Sequence, residues 1–270
     1  MKETNKFTIP QEKTEMSETY QILSFQALIE NDIDVLFVNC DNDVGHEIVL
    51  KILCGDAWEK WIDSSKNSAF PPDFYSTYFS LMMEVMTVND VEREEKKGKD
   101  IVYLDDEMRH YGKMKNKLVK YIRNNNLEEK FKDLELVFFT TDANFEHSYG
   151  NYIAYFRRVV LNHIGKIKEY RNNHPGMKLI FFIYDMSEYY QYKIIDEEKK
   201  EEYIMPHEWF TDERLLDIFR ETDVDYLIWF TPYKRDDADP KLPLAVVFDL
   251  KKPFSTQHYE EKYVIRPYVT

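Results

Sequence analysis

Cysteine is scarce in this 270-residue chain, with Cys40 and Cys54 as its two thiols. They form neither a CxxC pair nor a disulfide framework, which predicts buried free thiols and a reducing compartment. Glycine (7) and proline (10) are also few, and no repeat period is visible, which excludes solenoid, collagen-like and low-complexity architectures. No apolar run approaches the roughly 20 residues that span a bilayer. The opening stretch MKETNKFTIPQEKTEMSETY has no apolar leader core either, so the expected location is the cytoplasm, without membrane association. A Gly-rich phosphate loop and a G-x-S-x-G nucleophile elbow are both absent. The HEIVL run at His46 lacks the second histidine of a zinc-protease helix, and the remaining histidines show no metal-ligand spacing.

What is present is a core. Hydrophobic residues make up 43% and aromatics 16%, enough for one large domain. A formal charge of −14 excludes a surface that grips nucleic acid over its whole extent, because phosphate binding rests on Lys and Arg displacing counterions. Local basic stretches are the exception. Residues 109–126 carry Lys113, Lys117 and Lys120 with no acid among them, and residues 156–171 carry Arg157 and Arg158; a nucleic-acid contact is one expectation there, and a solvated basic helix face is the other. The acidic excess lies largely in 195–225, where a protein partner is the alternative expectation. Aromatic clusters such as SYGNYIAYF fit base stacking, and core packing of a helix face accounts for them as well.

The periodicities predict a mixed α/β sheet with helices on its faces. Residues 1–16 read as a polar tail, 17–185 as an α/β core, and 186–270 as an α/β extension packed on the same domain. Within the core, helices are expected at 17–31, 43–62, 105–126 and 148–172, and strands at 34–39, 72–75, 79–88, 134–141 and 177–185. Beyond it, a helix is expected near 207–221 and strands at 225–231 and 244–250. The continuous apolar runs suit strands covered on both sides.

One acid breaks such a run. Glu84 sits inside LMMEVM, and a buried polar group left unpaired costs roughly 2–7 kcal/mol. Asp73 stands at the tip of the preceding strand. Glu47 shares a helix face with Val44, Leu50 and Cys54 by the three- and four-residue spacings, which points it inward. Three carboxylates at one end of a sheet would make an oxygen-rich pocket for a hard cation, Mg²⁺ or Mn²⁺. The second reading of Glu84 is an acid paired with an Arg, Lys or Tyr across the sheet.

The order of a helix with Glu47, then Pro72-Asp73, then Glu84-Val85-Met86, then strand, helix and strand resembles the PD-(D/E)XK nuclease-like superfamily. That resemblance implies a restriction-endonuclease-like core. It also implies that Asp73 and Glu84 hold the metal, that Glu47 supports it, and that a metal-activated water hydrolyses a phosphodiester. The family's lysine falls on Met86, whose thioether carries no charge and donates no proton. Lys51, one turn from Glu47, is the candidate replacement; otherwise the metal suffices alone, or the chemistry is lost and a non-enzymatic binding module remains. A second formal match, Asp239 followed by Asp249-Leu250-Lys251, keeps the lysine but leaves too little chain for the family's next elements. Asp41 and Asp43 in DVLFVNCDND resemble the nucleophile segment of haloacid-dehalogenase-like phosphatases, although Gly45 departs from that pattern; helix capping is the competing reading.

Overall fold

The computed structural model describes residues 18–29, 35–40, 42–53, 55–65, 71–89, 149–187, 189–196, 198–234, 242–260 and 263–265. The expected helix at 105–126, the expected strand at 134–141, and the residues Cys54, Asp41, Asp239, Lys113, Lys117 and Lys120 lie outside them.

The first elements are helix α1 (Glu18–Leu28), strand β1 (Val35–Val38) and helices α2 (Asn42–Leu53) and α3 (Gly55–Trp58). Strands β2 (Ile62–Asp63), β3 (Phe74–Ser76) and β4 (Leu81–Val88) follow. Helices α4 (Tyr149–Ile164) and α5 (Ile167–Asn173) then lead to β5 (Lys178–Asp185). Next come the hairpin strands β6 (Gln191–Asp196) and β7 (Glu201–Pro206), the short helix α6 (Glu213–Leu216) between two 3-10 turns, and β8 (Tyr226–Phe230), β9 (Ala245–Asp249) and β10 (Val264–Ile265).

Seven strands form one mixed sheet in the order β1-β9-β8-β5-β4-β3-β2. Its centre, β4, β5 and β8, is parallel, and β9 and β3 run antiparallel to their inner neighbours. The expected mixed α/β sheet flanked by helices is therefore present. Its central strands read as near-continuous apolar runs because both faces are covered. One face holds Met82, Met86, Phe181 and Trp229 beneath Tyr152, Phe156 and Val160 of α4 and Tyr170 of α5. The other holds Met83, Val85, Phe182 and Ile228 beneath Ile22 and Phe25 of α1 and Ile48 and Ile52 of α2. No described helix is long and apolar enough to cross a membrane.

The expected boundaries shift in five places. The helix expected at 43–62 ends at Leu53, and the short helix α3 and strand β2 follow it. The single helix at 148–172 is two, because hydrogen bonding is interrupted around Gly165 and Lys166. The hairpin turn lies at 77–80, with Ser80 in the left-handed region at φ 54°, so its strands are shorter than expected. Residues 207–221 are short turns rather than one helix. Asp212 caps the four-residue α6 through the Arg214 amide while its carboxylate is tied to Tyr149, His207 and Arg214. Strands β6 and β7, the second of them inside the acidic stretch 195–225, form an antiparallel hairpin that joins β10 in a second, three-stranded sheet.

The C-terminal third is not peripheral to the main sheet. β8 and β9 occupy positions between β5 and β1, and β1 is held in the sheet by β9.

Candidate functional site

The antiparallel register of β3 with β4 pairs Phe74 with Met83 and Tyr75 with Met82. One step further, Asp73 stands opposite Glu84 on the same sheet face. Asp73 is fixed there by its own carboxylate, whose Oδ2 accepts the Val85 amide at 2.8 Å. The approach is anchored as well. Ser64 donates to Pro72 O at 2.6 Å, and Asn173 at the end of α5 donates to Pro71 O at 2.9 Å. The Pro71–Pro72 bond is cis.

Glu84 is 4% exposed and meets a histidine, with a tyrosine beside it. His163 Nδ1, in the last turn of α4, lies 2.7 Å from Glu84 Oε1. Tyr170 comes down from α5 onto the same acid. Its hydroxyl is pushed up in pKa first by burial, then by Glu84's charge and by its approach to the Glu84 carboxylate as a hydrogen-bond donor. Neither that hydroxyl nor Glu84 Oε2 completes a hydrogen bond among the described residues. The Asp73 carboxyl is pushed up to about 8, by burial first and by Glu84's charge second, against the opposing Val85 amide and Lys166. A neutral Asp73 beside Glu84 at physiological pH is the arrangement expected when two carboxyls share a partly dry site.

The remaining expected site residues do not converge on this pair. Glu47 and Lys51 belong to α2, on the other face of the sheet, where they pair with each other at 2.8 Å. Glu47 and Val44 are exposed, whereas Ile48, Val49 and Ile52 are buried, which reverses the inward orientation expected for Glu47. Lys51 lies 5.4 Å from the Phe79 ring, so it does not replace the missing motif lysine. Met86 is core, packed on the α4 side with Met82 and Val88.

Arg157 binds Asp217 and the Arg214 carbonyl, tying α4 to α6, so it is committed to structure. Arg158 is exposed and lies 4.9 Å from the Tyr155 ring. In the second formal motif, Lys251 pairs with Asp223 at 3.0 Å, and Asp249 accepts the Lys251 amide at 3.1 Å.

No group of three His, Cys, Asp or Glu that could hold a metal ion occurs among the described residues. Asp73 and Glu84 fit a hard cation only as a two-carboxylate site completed by water or a substrate oxygen, as Mg²⁺ accepts. Glu84 Oε2, which closes no hydrogen bond among the described residues, is the atom that leaves room for that role. The three-carboxylate set expected from the sequence does not form.

A second polar cluster sits at the carboxyl end of β5. Asp185 accepts from Tyr152 (2.6 Å), Trp229 (3.0 Å) and the Ser187 amide (2.9 Å), and Lys234 lies 3.5 Å away, bonded to Ser187. Aromatic rings of Tyr152, Tyr190 and Trp209 surround the ammonium. All of these polar groups are buried, and the network pins the end of β8 to the end of β5.

No protein-family model, no curated protein and no solved structure matches the chain.

Proposed function

We propose that the chain is a divalent-metal-dependent, nuclease-like protein acting on phosphodiester bonds, with Asp73 and Glu84 as the residues that would hold Mg²⁺ or Mn²⁺. The carrying observation is the pairing of these two acids across β3 and β4, with Asp73 kept protonated by burial first and by Glu84's charge second, and with Glu84 Oε2 buried and closing no hydrogen bond among the described residues. A cation between them would relieve their repulsion and let Asp73 ionise. The bound metal would supply Lewis-acid activation of a water and of a phosphoryl oxygen. His163 fixes the rotamer of Glu84, the Val85 amide fixes Asp73, and Lys166 adds positive charge beside the pair. The restriction-endonuclease-like core is supported by the order α2, β3–β4 hairpin, α4, β5 around these residues.

A second reading is favoured by Met86. With a buried thioether at the lysine position and Lys51 on the far face, no ammonium from the motif reaches the pair. A descendant that binds nucleic acid or a protein without cutting would keep this geometry.

Calorimetric titration of Mn²⁺ into the chain, with Asp73→Ala and Glu84→Ala alongside, tests the first reading. Binding in the wild type and its loss in both variants are expected. No binding in the wild type overturns the metal site. With binding established, nicking of a plasmid in the same buffer selects the enzyme, and an intact plasmid selects the non-cutting descendant.

A further inference from the structure

Exposed apolar side chains of the described residues concentrate on the three-stranded sheet β10-β6-β7. Among the described residues, six of the eleven large hydrophobic side chains left exposed lie on it: Ile194, Ile195, Tyr203, Ile204, Met205 and Ile265. Strand β7 is its outer edge and pairs with β6 alone among the described residues. Natural edge strands are guarded by charged side chains, by proline on the edge, by bulges or by short length. β7 has Glu201 and Glu202 at its start and Pro206 at its end, and the stretch Tyr203, Ile204 and Met205 between them carries no guard. The register of β7 with β6 is continuous over all six residues.

The sequence of this edge is complementary to itself. Two antiparallel copies of a strand related by a two-fold axis through Ile204 place Ile204 opposite Ile204, Tyr203 opposite Met205, and Glu202 opposite Pro206. Directly opposed side chains share a sheet face in this register, so each contact is apolar against apolar except at the ends. No like charges face each other. Glu202 is already neutralised by Lys193 of its own hairpin at 2.7 Å. The charged turn from Asp196 to Glu201 of each copy falls at opposite ends of the joined sheet, so the two acidic tips stay apart even though each chain carries −14. The neighbouring register, centred on Tyr203, would instead set Glu202 against Ile204.

We propose that β7 is a homodimer interface, pairing edge to edge with β7 of a second copy to make a continuous six-stranded sheet. The interface is separate from the Asp73–Glu84 site and does not depend on its function.

Sedimentation equilibrium of the full chain over about 1–100 µM reads the association directly. A reversible monomer–dimer equilibrium is expected. Ile204→Lys, a substitution at a side chain 56% exposed, sets two lysines face to face on the axis. It should weaken the dimer by more than about tenfold while leaving the thermal unfolding of the monomer unchanged. Ile204→Cys should give an oxidised covalent dimer that reductant dissolves, because directly opposed residues meet the roughly 4.4–6.8 Å Cα separation that a disulfide needs. Ile195→Cys, exposed on β6 one strand further in, should not cross-link above the unmodified chain. A monomer throughout the range overturns the proposal. So does a dimer indifferent to Ile204→Lys, or equal cross-linking from positions 195 and 204.

Discussion

Asp73 keeps its proton because burial penalises its charged form and, second, because ionising it would place another charge beside Glu84. Its ordinary value of 3.8 rises to about 8 in the folded chain. Between those values the folded state binds more protons than the unfolded one, so this group's contribution to stability is full below about pH 4 and is lost as pH rises through about 8. Asp73→Asn keeps an acceptor for the Val85 amide and removes the titration. Urea unfolding of both proteins at several pH values should show the variant gaining on the wild type as pH rises; parallel curves would sink the assignment. Both acids were legible in the sequence, Glu84 because it interrupts an apolar strand and Asp73 because it precedes the strand that pairs with it. His163 was legible only through the spacing Tyr152, Phe156, Val160, His163, which places it on the buried face of α4. Glu47 shows the limit of such spacing: a helix pattern cannot say which face of a sheet the helix covers.

At the scale of elements, α2 docks on the sheet through a close approach that only glycine permits. A Cβ on Gly45 would stand 2.7 Å from Phe37 Cδ1 and 3.0 Å from Cys40 Cβ, on the strand and turn that precede the helix. Gly45→Ala should therefore destabilise the protein by about 1–3 kcal/mol through overpacking, despite alanine's better helix propensity. Denaturant melts decide between the two effects; a stabilised variant would mean that Phe37 yields freely. β5, β8 and β9 were legible as continuous apolar runs, and β4 as such a run broken only by Glu84, since two-sided burial leaves no alternation to misread. The β6–β7 hairpin was not, because its strands flank a charged turn and stay exposed on much of both faces. Residues 207–221 carry a helix-like pattern that loses to the buried Asp212 network, a tertiary effect that no local propensity reports.

At the scale of the whole molecule, residues 186–270, read as an extension packed on the same domain, supply strands inside the main sheet. Strands β8 and β9 separate β5 from β1, and both core clusters draw on them. Leu227, Ile228, Phe230, Val246, Val247 and Phe248 are each fully buried. At about 1.5–3 kcal/mol for each such side chain, their burial is worth roughly 9–18 kcal/mol, as much as the whole net stability of a typical domain. Removing residues 186–270 would also expose the edge of β5 and leave β1 without its partner strand. The Asp73–Glu84 pair would keep its local strands and still lose the layer that holds α4 and His163 over it. A fragment of residues 1–185 should accordingly show no cooperative thermal transition and little near-ultraviolet dichroism. A cooperative transition in that fragment would mean that the first 185 residues carry a complete core of their own.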